Sequence, residues 1–290
     1  MSEYQYEPFA DTEEYRRVNT EIVRRWIDVL REAGTRQIDR LLDIATGVGT
    51  MVELFLENLP QGWRQPAVVC VDANPDALEQ TRDRLADRVA ELECVESRAQ
   101  EMELAPNSVD VAVWGNGIHY LDEEAQKNAL GRISRALKSG GWLFFNSAFY
   151  AESRPADTIP FYRAQIANAV RRLKALGVRR EEKSAHAQAG DYPDQSRYRS
   201  LLEQAGFAVE EMSKYAARLY QTAWENISGF SQYAAGALHG YRVDVAAQVL
   251  REAVGPSLEQ HGFRDENGRL YIPRNWLAVA ARAVKPAQRP

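Results

Sequence analysis

Five short apolar runs alternate with helical stretches between Ile38 and Tyr150, and this alternation constrains the fold more than any other feature of the chain. The runs read IDRLLDIA, AVVCVDA, ELECVES, VDVAVWG and GWLFFNSA. Strands as apolar as these are typical of a parallel sheet, because helices cover both of its faces. The pattern therefore predicts an α/β fold built from successive βα units.

The first run ends in Asp43-Ile-Ala-Thr-Gly-Val-Gly49 and leads directly into a predicted helix, TMVELFLENL. Two glycines at such a turn let the backbone approach a ligand closely. A dinucleotide fingerprint needs a third small residue at the helix start, where Val52 stands, and a P-loop needs a Gly-Lys-Ser/Thr sequence that is absent. The second strand ends in Asp72, which can accept hydrogen bonds from both ribose hydroxyls. These residues predict a cofactor with a nucleoside but no phosphate to bind.

The motifs together resemble those of class I S-adenosylmethionine-dependent methyltransferases, over roughly residues 37–149 and the terminal strands. DIATGVGT resembles the first motif of that family and VVCVDANP the second. SVDVAVWGNGIHYLD resembles the fourth strand with its active-site loop, and ISRALKSGGWLFF the helix, turn and strand that follow. The resemblance implies a three-layer, Rossmann-like, seven-stranded sheet with an antiparallel last strand, helical cap insertions and S-adenosyl-L-methionine as the cofactor.

The resemblance and the helical patterning outside the core together predict a division of the chain into four parts. Residues 1–36 are expected to form an N-terminal helical lid, and residues 37–150 the core that binds the cofactor. Residues 151–195 are expected to form a helical cap insertion. The C-terminal part of the core would follow at 196–290, with a further helical insertion at 222–262. Within the core, residues 138–141 (KSGG) predict the end of a helix that begins near Asp122.

Carried over position by position, the family's cofactor-binding residues fall on Asp43, Ala45, Gly47, Gly49, Asp72, Ala73, Asn74, Ala99, Gln100 and Asn116. Asp43 would hold the cofactor's amino group, Asp72 the ribose, and Ala73 or Asn74 would flank the adenine. The acid that often follows the third strand is replaced by Arg98, which cannot accept a hydrogen bond. Either Gln100 or the Ala99 backbone takes over that role, or the register differs.

The candidate catalytic residues are His119, Tyr120 and Tyr6. A histidine in the loop after the fourth strand could be a general base or only a hydrogen-bonding wall residue. Tyr120 and Tyr6 suit an aromatic wall as well as proton transfer. Tyr6 matches an N-terminal tyrosine that closes over the cofactor in many relatives; otherwise it belongs to a tail.

Charge and composition narrow the expected partners. A net charge of −5, and the lack of an Asn/Asp-Pro-Pro-aromatic run after the fourth strand, disfavour nucleic acid. Only two cysteines, Cys70 and Cys94, occur, and there is no 18-residue apolar stretch, so we expect a cytoplasmic chain that contacts no membrane. His186, His239 and His261 lack the spacing of metal ligands, so we expect no metal.

The expected activity is methyl transfer, governed by positioning, to a small organic acceptor of aromatic or apolar character, as in natural-product (secondary) metabolism. A homo-oligomer and an acceptor bound to a carrier protein both stay open, as does the acceptor atom. One alternative is a protein that binds S-adenosylmethionine without transferring methyl, whether cyclase-like or a pseudoenzyme. The other is an NAD-dependent oxidoreductase, which Val52 disfavours.

Overall fold

The computed structural model describes residues 6–180 and 192–284, so His186 lies outside the described residues. The chain divides into two compact units. The first unit comprises Met1–Val18, Phe149–Tyr192 and Ala216–Trp276. The second unit comprises Asn19–Ala148, Pro193–Tyr215 and Leu277–Pro290, and it contains all five of the apolar runs.

The strands follow the predicted runs closely. They are β1 (Arg40–Ile44), β2 (Ala67–Asp72), β3 (Leu92–Glu96), β4 (Val109–Gly115), β5 (Leu137–Ser147), β6 (Phe207–Tyr220), β7 (Phe263–Arg264) and β8 (Leu270–Ala283). Their order in the sheet is β3-β2-β1-β4-β5-β8-β6, and the two-residue strand β7 pairs with β8 outside this path. The first five strands pair in parallel, and β8 pairs with β5 in antiparallel orientation. The predicted α/β sheet with an antiparallel last strand is confirmed, with β7 as an additional strand.

Helices occur in both units. They are α1 (Glu7–Ala10), α2 (Glu13–Glu32), α3 (Thr50–Glu57), α4 (Pro75–Leu85), α5 (Glu123–Ala136), α6 (Ile159–Ala175), α7 (Gln195–Gln204), α8 (Gln221–Gly229), α9 (Ser231–Ala237), α10 (Val243–Glu252) and α11 (Val254–His261). Short 3-10 helices cover Ile118–Tyr120 and Ala156–Thr158. Within the first unit, α10 packs against α6, α8 and α9.

Burial explains why the central strands are so apolar. Four of the five residues of β1 are buried, as are the four middle residues of β2. The apolar face of α2 is buried as well, and its Trp26 stacks on Phe144 of β5 with ring centres 5.4 Å apart. Both faces of the parallel strands are therefore covered, as such a sheet requires.

The KSGG segment at 138–141 does not end a helix, so that prediction was wrong. Helix α5 already ends at Ala136, and KSGG lies within β5. The pairing of β4 with β5 shifts here: Val109 pairs with Leu137, and Val111 pairs with Trp142. The extra residues of β5 form an irregularity in which Gly140 takes a φ of +75°, a conformation typical of glycine.

No helix within residues 6–180 and 192–284 is long and apolar enough to span a lipid bilayer.

Candidate functional site

The glycine turn between β1 and α3 has an unusual backbone conformation. Ala45, Gly47 and Gly49 all have positive φ, at 51°, 56° and 76°. Glycine adopts such angles freely, but alanine does so at a cost. Strained backbone of this kind persists where the surrounding structure fixes it, and it concentrates at functional sites. The positive φ angles therefore mark this turn as a candidate functional site.

Hydrogen bonds to three neighbouring elements hold this turn in place. Thr46 Oγ1 donates to Asp43 Oδ2 over 2.5 Å, and the Thr46 N–H donates to the carbonyl of Val71 over 3.1 Å. Thr81 Oγ1 of α4 donates to the Gly47 carbonyl over 2.7 Å. Neither threonine was among the predicted site residues. The DIATG motif contains Thr46, whereas no sequence signal marks Thr81, which lies 34 residues away.

Asp72 ends β2 and binds the turn directly. Its Oδ2 accepts from the Gly47 N–H over 2.9 Å, and its Oδ1 accepts from the Asn74 N–H over 2.9 Å. Asn74, which follows Ala73, caps α4 by accepting from the Asp76 N–H over 2.9 Å. Burial raises the pKa of Asp72, and the N–H groups that it accepts oppose this rise. Each carboxylate oxygen has a further lone pair, so Asp72 can accept two hydroxyl groups.

Asp43 is the most deeply buried acid of the site, with 1% of its surface exposed. Thr46 satisfies Oδ2, but Oδ1 has no hydrogen-bond partner among the described residues. Burial raises the pKa of Asp43 to about 7, and the nearby charge of Asp72 contributes. A buried acceptor without a partner is costly, and a cationic donor beside it would remove that cost.

The loop after β4 brings Asn116 to the same edge of the sheet. Asn116 has a positive φ of 51° and is 5% exposed. Its N–H donates to Asn146 Oδ1 over 2.8 Å, and its Oδ1 accepts from the Ala148 N–H over 2.9 Å. Asn146 in turn donates to Asn19 Oδ1 over 2.6 Å. Polar contacts with the end of β5 therefore fix Asn116.

Gly117 shows that this loop and the glycine turn touch. A Cβ atom placed on Gly117 would lie 2.5 Å from Trp114 Nε1 and 2.9 Å from the Cβ of Ala45. Both distances are shorter than real Cβ contacts. The glycine turn and the loop after β4, both predicted to belong to the cofactor site, can therefore pack this closely only because residue 117 has no side chain.

His119 and Tyr120 lie in the 3-10 helix that follows. His119 is 3% exposed, its Nδ1 lies 3.1 Å from Ser147 Oγ, and its ring centre lies 4.2 Å from that of Tyr120. Gln126 of α5 donates from Nε2 to the carbonyls of Ile118 (3.1 Å) and Leu121 (3.0 Å). No motif in the sequence indicates that Ser147 or Gln126 would hold this helix.

The residues after β3 include the positions predicted to contact the adenine amine. Arg98 is exposed, and its guanidinium lies 3.8 Å from Glu101. Gln100, which follows Ala99, accepts at its backbone carbonyl from Arg132 Nε over 2.8 Å. Gln100 Oε1 is buried and has no hydrogen-bond partner among the described residues. The side chain of Gln100 therefore offers a buried acceptor in this segment, and its contact with the adenine amine stays a prediction.

Tyr6 belongs to the first unit, whereas the other candidate residues belong to the second. Its ring centre lies 5.1 Å from Phe230, 5.7 Å from Phe9 and 6.0 Å from Tyr15. These edge-on contacts make Tyr6 part of an aromatic cluster. Its role as a lid over the cofactor stays a prediction.

Across residues 6–180 and 192–284, no group of three or more His, Cys, Asp and Glu side chains is arranged to hold a metal ion. The candidate site contains three hydrogen-bond acceptor groups. These are the Asp43 and Asp72 carboxylates and the Gln100 amide oxygen, together with the positive-φ turn.

Residues 41–141 match the model of a family described as a methyltransferase domain. That range covers the glycine turn, Asp72, Gln100 and the loop after β4. A search of curated proteins found no match to the chain.

Many solved structures share the fold. A candidate methyltransferase from Bacillus halodurans C-125 is 16% identical, with a TM-score of 0.54 over 89% of this chain and 99% of that one. A candidate sarcosine dimethylglycine methyltransferase from Galdieria sulphuraria is 14% identical, with a TM-score of 0.52 over 90% and 85%. The 4+2 cyclase SpnF is 16% identical, with a TM-score of 0.52 over 91% and 81%. At such identities the likeness shows the fold alone. Residues 41–141 therefore match a methyltransferase domain, and the chain shares the fold of solved methyltransferases.

Proposed function

We propose that the chain is an S-adenosylmethionine-dependent methyltransferase that acts on a small organic acceptor of aromatic or apolar character, as in natural-product metabolism. One observation carries the proposal: the Gly47 N–H donates to Asp72 Oδ2 over 2.9 Å. This bond joins the glycine turn after β1 to the acid at the end of β2. A nucleoside-bearing cofactor needs these two elements side by side, and both lie within the matched range 41–141.

Three acceptor groups are suited to hold the cofactor. Asp72 accepts one backbone N–H at each carboxylate oxygen and keeps a lone pair on each for a ribose hydroxyl. Asp43 Oδ1 is buried, lacks a described partner and would accept from the amino group. Gln100 Oε1 shares these properties and would accept from the adenine amine, which Arg98 cannot do. Ala73 would flank the adenine.

The bound cofactor supplies a methyl group on a sulfonium whose leaving group is a neutral thioether. The chain's own residues then need to hold the acceptor in line with that methyl group and keep water away. An amine, a thiolate or an electron-rich carbon needs no base, whereas a hydroxyl does. His119, whose Nδ1 lies beside the Ser147 hydroxyl, is the candidate for that base. The ring of Tyr120 packs against the ring of His119.

Calorimetric titration with S-adenosylhomocysteine and with NAD tests the class, followed by a methyl-transfer screen against aromatic and apolar acceptors. We expect S-adenosylhomocysteine to bind with micromolar or tighter affinity and NAD not to bind, because the turn lacks the third small residue that a pyrophosphate needs. Methyl transfer to one class of acceptor would support the whole proposal. Binding without any transfer would favour the non-methylating alternative, and failure to bind S-adenosylhomocysteine would refute the cofactor site.

The affinity for S-adenosylhomocysteine should depend on pH through Asp43. The pKa of this buried carboxyl is raised to about 7, so below pH 7 the free protein holds a proton there. A cationic amino group favours the ionised carboxylate, so binding below pH 7 must release that proton. We expect the dissociation constant to fall roughly tenfold between pH 6 and pH 7.5 and to change little above that, as measured by calorimetry.

Asp43→Asn provides the control for this pH effect. The amide oxygen can still accept from Thr46, but the side chain no longer titrates. The variant should bind more weakly at pH 7.5, and its affinity should be flat between pH 6 and pH 7.5. The same pH dependence in Asp43→Asn as in the wild type would show that another group is responsible.

A further inference from the structure

The first unit contains a cavity of about 260 Å³. Its lining includes four aromatic rings and two polar side chains: Phe149, Tyr162, Tyr192, Tyr233, Arg154 and Gln165. Pockets for drug-sized ligands span roughly 300–1,000 Å³, so this cavity suits a smaller molecule of one or two rings. The aromatic lining favours a ligand that is itself aromatic or flat.

Arg154 gives the cavity its charge. Its guanidinium carbon lies 4.1 Å from the ring centre of Tyr192 and 5.2 Å from that of Tyr162, so two aromatic faces hold it. Among the described residues, Arg154 has no ion-pair or hydrogen-bond partner. The described lining residues include no carboxylate. A guanidinium held by its faces leaves the N–H groups along its edge available to a planar anion, which it can bind through two parallel hydrogen bonds.

A second arginine, Arg274, contacts the lining residue Tyr162. Arg274 is 3% exposed and donates from Nη1 to the Tyr162 hydroxyl over 3.0 Å. Its guanidinium carbon lies 4.8 Å from the centre of Phe149 and 6.0 Å from that of Tyr162. Arg274 therefore fixes two of the lining rings and adds positive charge close to the cavity, where the low dielectric strengthens its effect on an anion.

The lining phenols can donate hydrogen bonds to such an anion. Burial raises the pKa of both Tyr162 and Tyr233, so both stay protonated at neutral pH. Because Tyr162 accepts from Arg274, its own hydroxyl proton is left to donate elsewhere. The cavity therefore combines a flat apolar lining, one accessible cation and neutral donors.

We propose that this cavity binds a small aromatic molecule that carries a carboxylate, with Arg154 as the group that pairs with the carboxylate. This proposal rests on the proposed function: the ligand of the cavity is the methyl acceptor, an aromatic acid of one or two rings. Arg274 acts through Tyr162 and is a positioning residue.

Calorimetric titration with two acids, 4-hydroxybenzoate and 1-naphthoate, and with the primary amide of each tests the proposal at pH 7.5. Each amide keeps the ring and the approximate shape of its acid but removes the charge. We expect at least one acid to bind the wild-type chain at least about tenfold more tightly than its amide. Arg154→Gln should remove this preference and leave the affinity for the amide unchanged.

Arg163→Gln is the matched control, because Arg163 is an exposed arginine on α6 that does not line the cavity. It should keep the full preference for the acid. Equal binding of acid and amide, no binding of either acid, or an equal loss of acid and amide affinity in Arg154→Gln would each overturn the proposal. Titration of the same variants with S-adenosylhomocysteine separates the two hypotheses, since that ligand tests the cofactor site without Arg154.

Discussion

Asp72→Ala should weaken the binding of S-adenosylhomocysteine at least about 100-fold. If Asp72 accepts both ribose hydroxyls, its removal deletes two hydrogen bonds to a charged group, each worth about 1.5–3 kcal/mol. It also leaves the Gly47 and Asn74 N–H groups without the acceptor that now fixes the turn. Calorimetric titration of the purified variant measures the loss directly.

Asp83→Ala is the control for this experiment, because Asp83 is an exposed acid on α4 and has no bond to the turn. Its affinity should match that of the wild type. A thermal melt of Asp72→Ala should still show a cooperative transition, so that weak binding is not mistaken for unfolding. If the folded Asp72→Ala variant bound as tightly as the wild type, the assignment of the ribose site would be wrong.

Gly117→Ala should cost about 1–3 kcal/mol of unfolding free energy and also weaken cofactor binding. The φ of Gly117 is −110°, which any residue adopts, so the cost comes from contact alone. The new methyl group would lie 2.5 Å from the Trp114 ring nitrogen and 2.9 Å from the Ala45 side chain. Relief of that overlap must move Ala45, and with it the turn that approaches the cofactor. Urea unfolding and S-adenosylhomocysteine titration measure the two effects.

Gly131→Ala is a control that should raise the free energy of unfolding, whereas Gly117→Ala should lower it. Gly131 lies within helix α5, and a Cβ atom there would meet nothing within 4 Å. Alanine stabilises a helix by up to about 1 kcal/mol relative to glycine, so this variant should unfold at higher urea. Its cofactor affinity should not change. Unaltered stability and affinity in Gly117→Ala would mean that the β4 loop and the glycine turn do not touch as described.

Much of the sheet could be predicted because its signals are local. Each central strand is a short apolar run, and each run ends in a residue or turn of distinctive type, such as Asp43 or Asp72. The irregularity at Gly140 was missed because KSGG is a common helix-ending sequence, and only its pairing with β4 extends the strand through it. Sequence alone does not contain that pairing.

The supporting contacts of the site were missed for the same reason. Thr81 reaches the Gly47 carbonyl across 34 residues, and Arg132 reaches the Gln100 carbonyl across 32. Threonine and arginine are common on helices, so neither stands out before the helices are placed. Arg98 is aligned where an acceptor is expected, and a buried side-chain acceptor, Gln100 Oε1, lies two residues later, within the turn that the Glu101 N–H closes on the Arg98 carbonyl.

The hydrogen bonds around the glycine turn also affect the rate at which a ligand associates. Thr46, Thr81 and Asp72 fix the turn within the folded chain itself, so its conformational entropy is already lost on folding. A ligand that meets a preorganised turn has no loop to order first, and its association rate is set by diffusion and orientation. Affinity differences among variants of this turn should therefore appear mainly in how long the ligand stays bound.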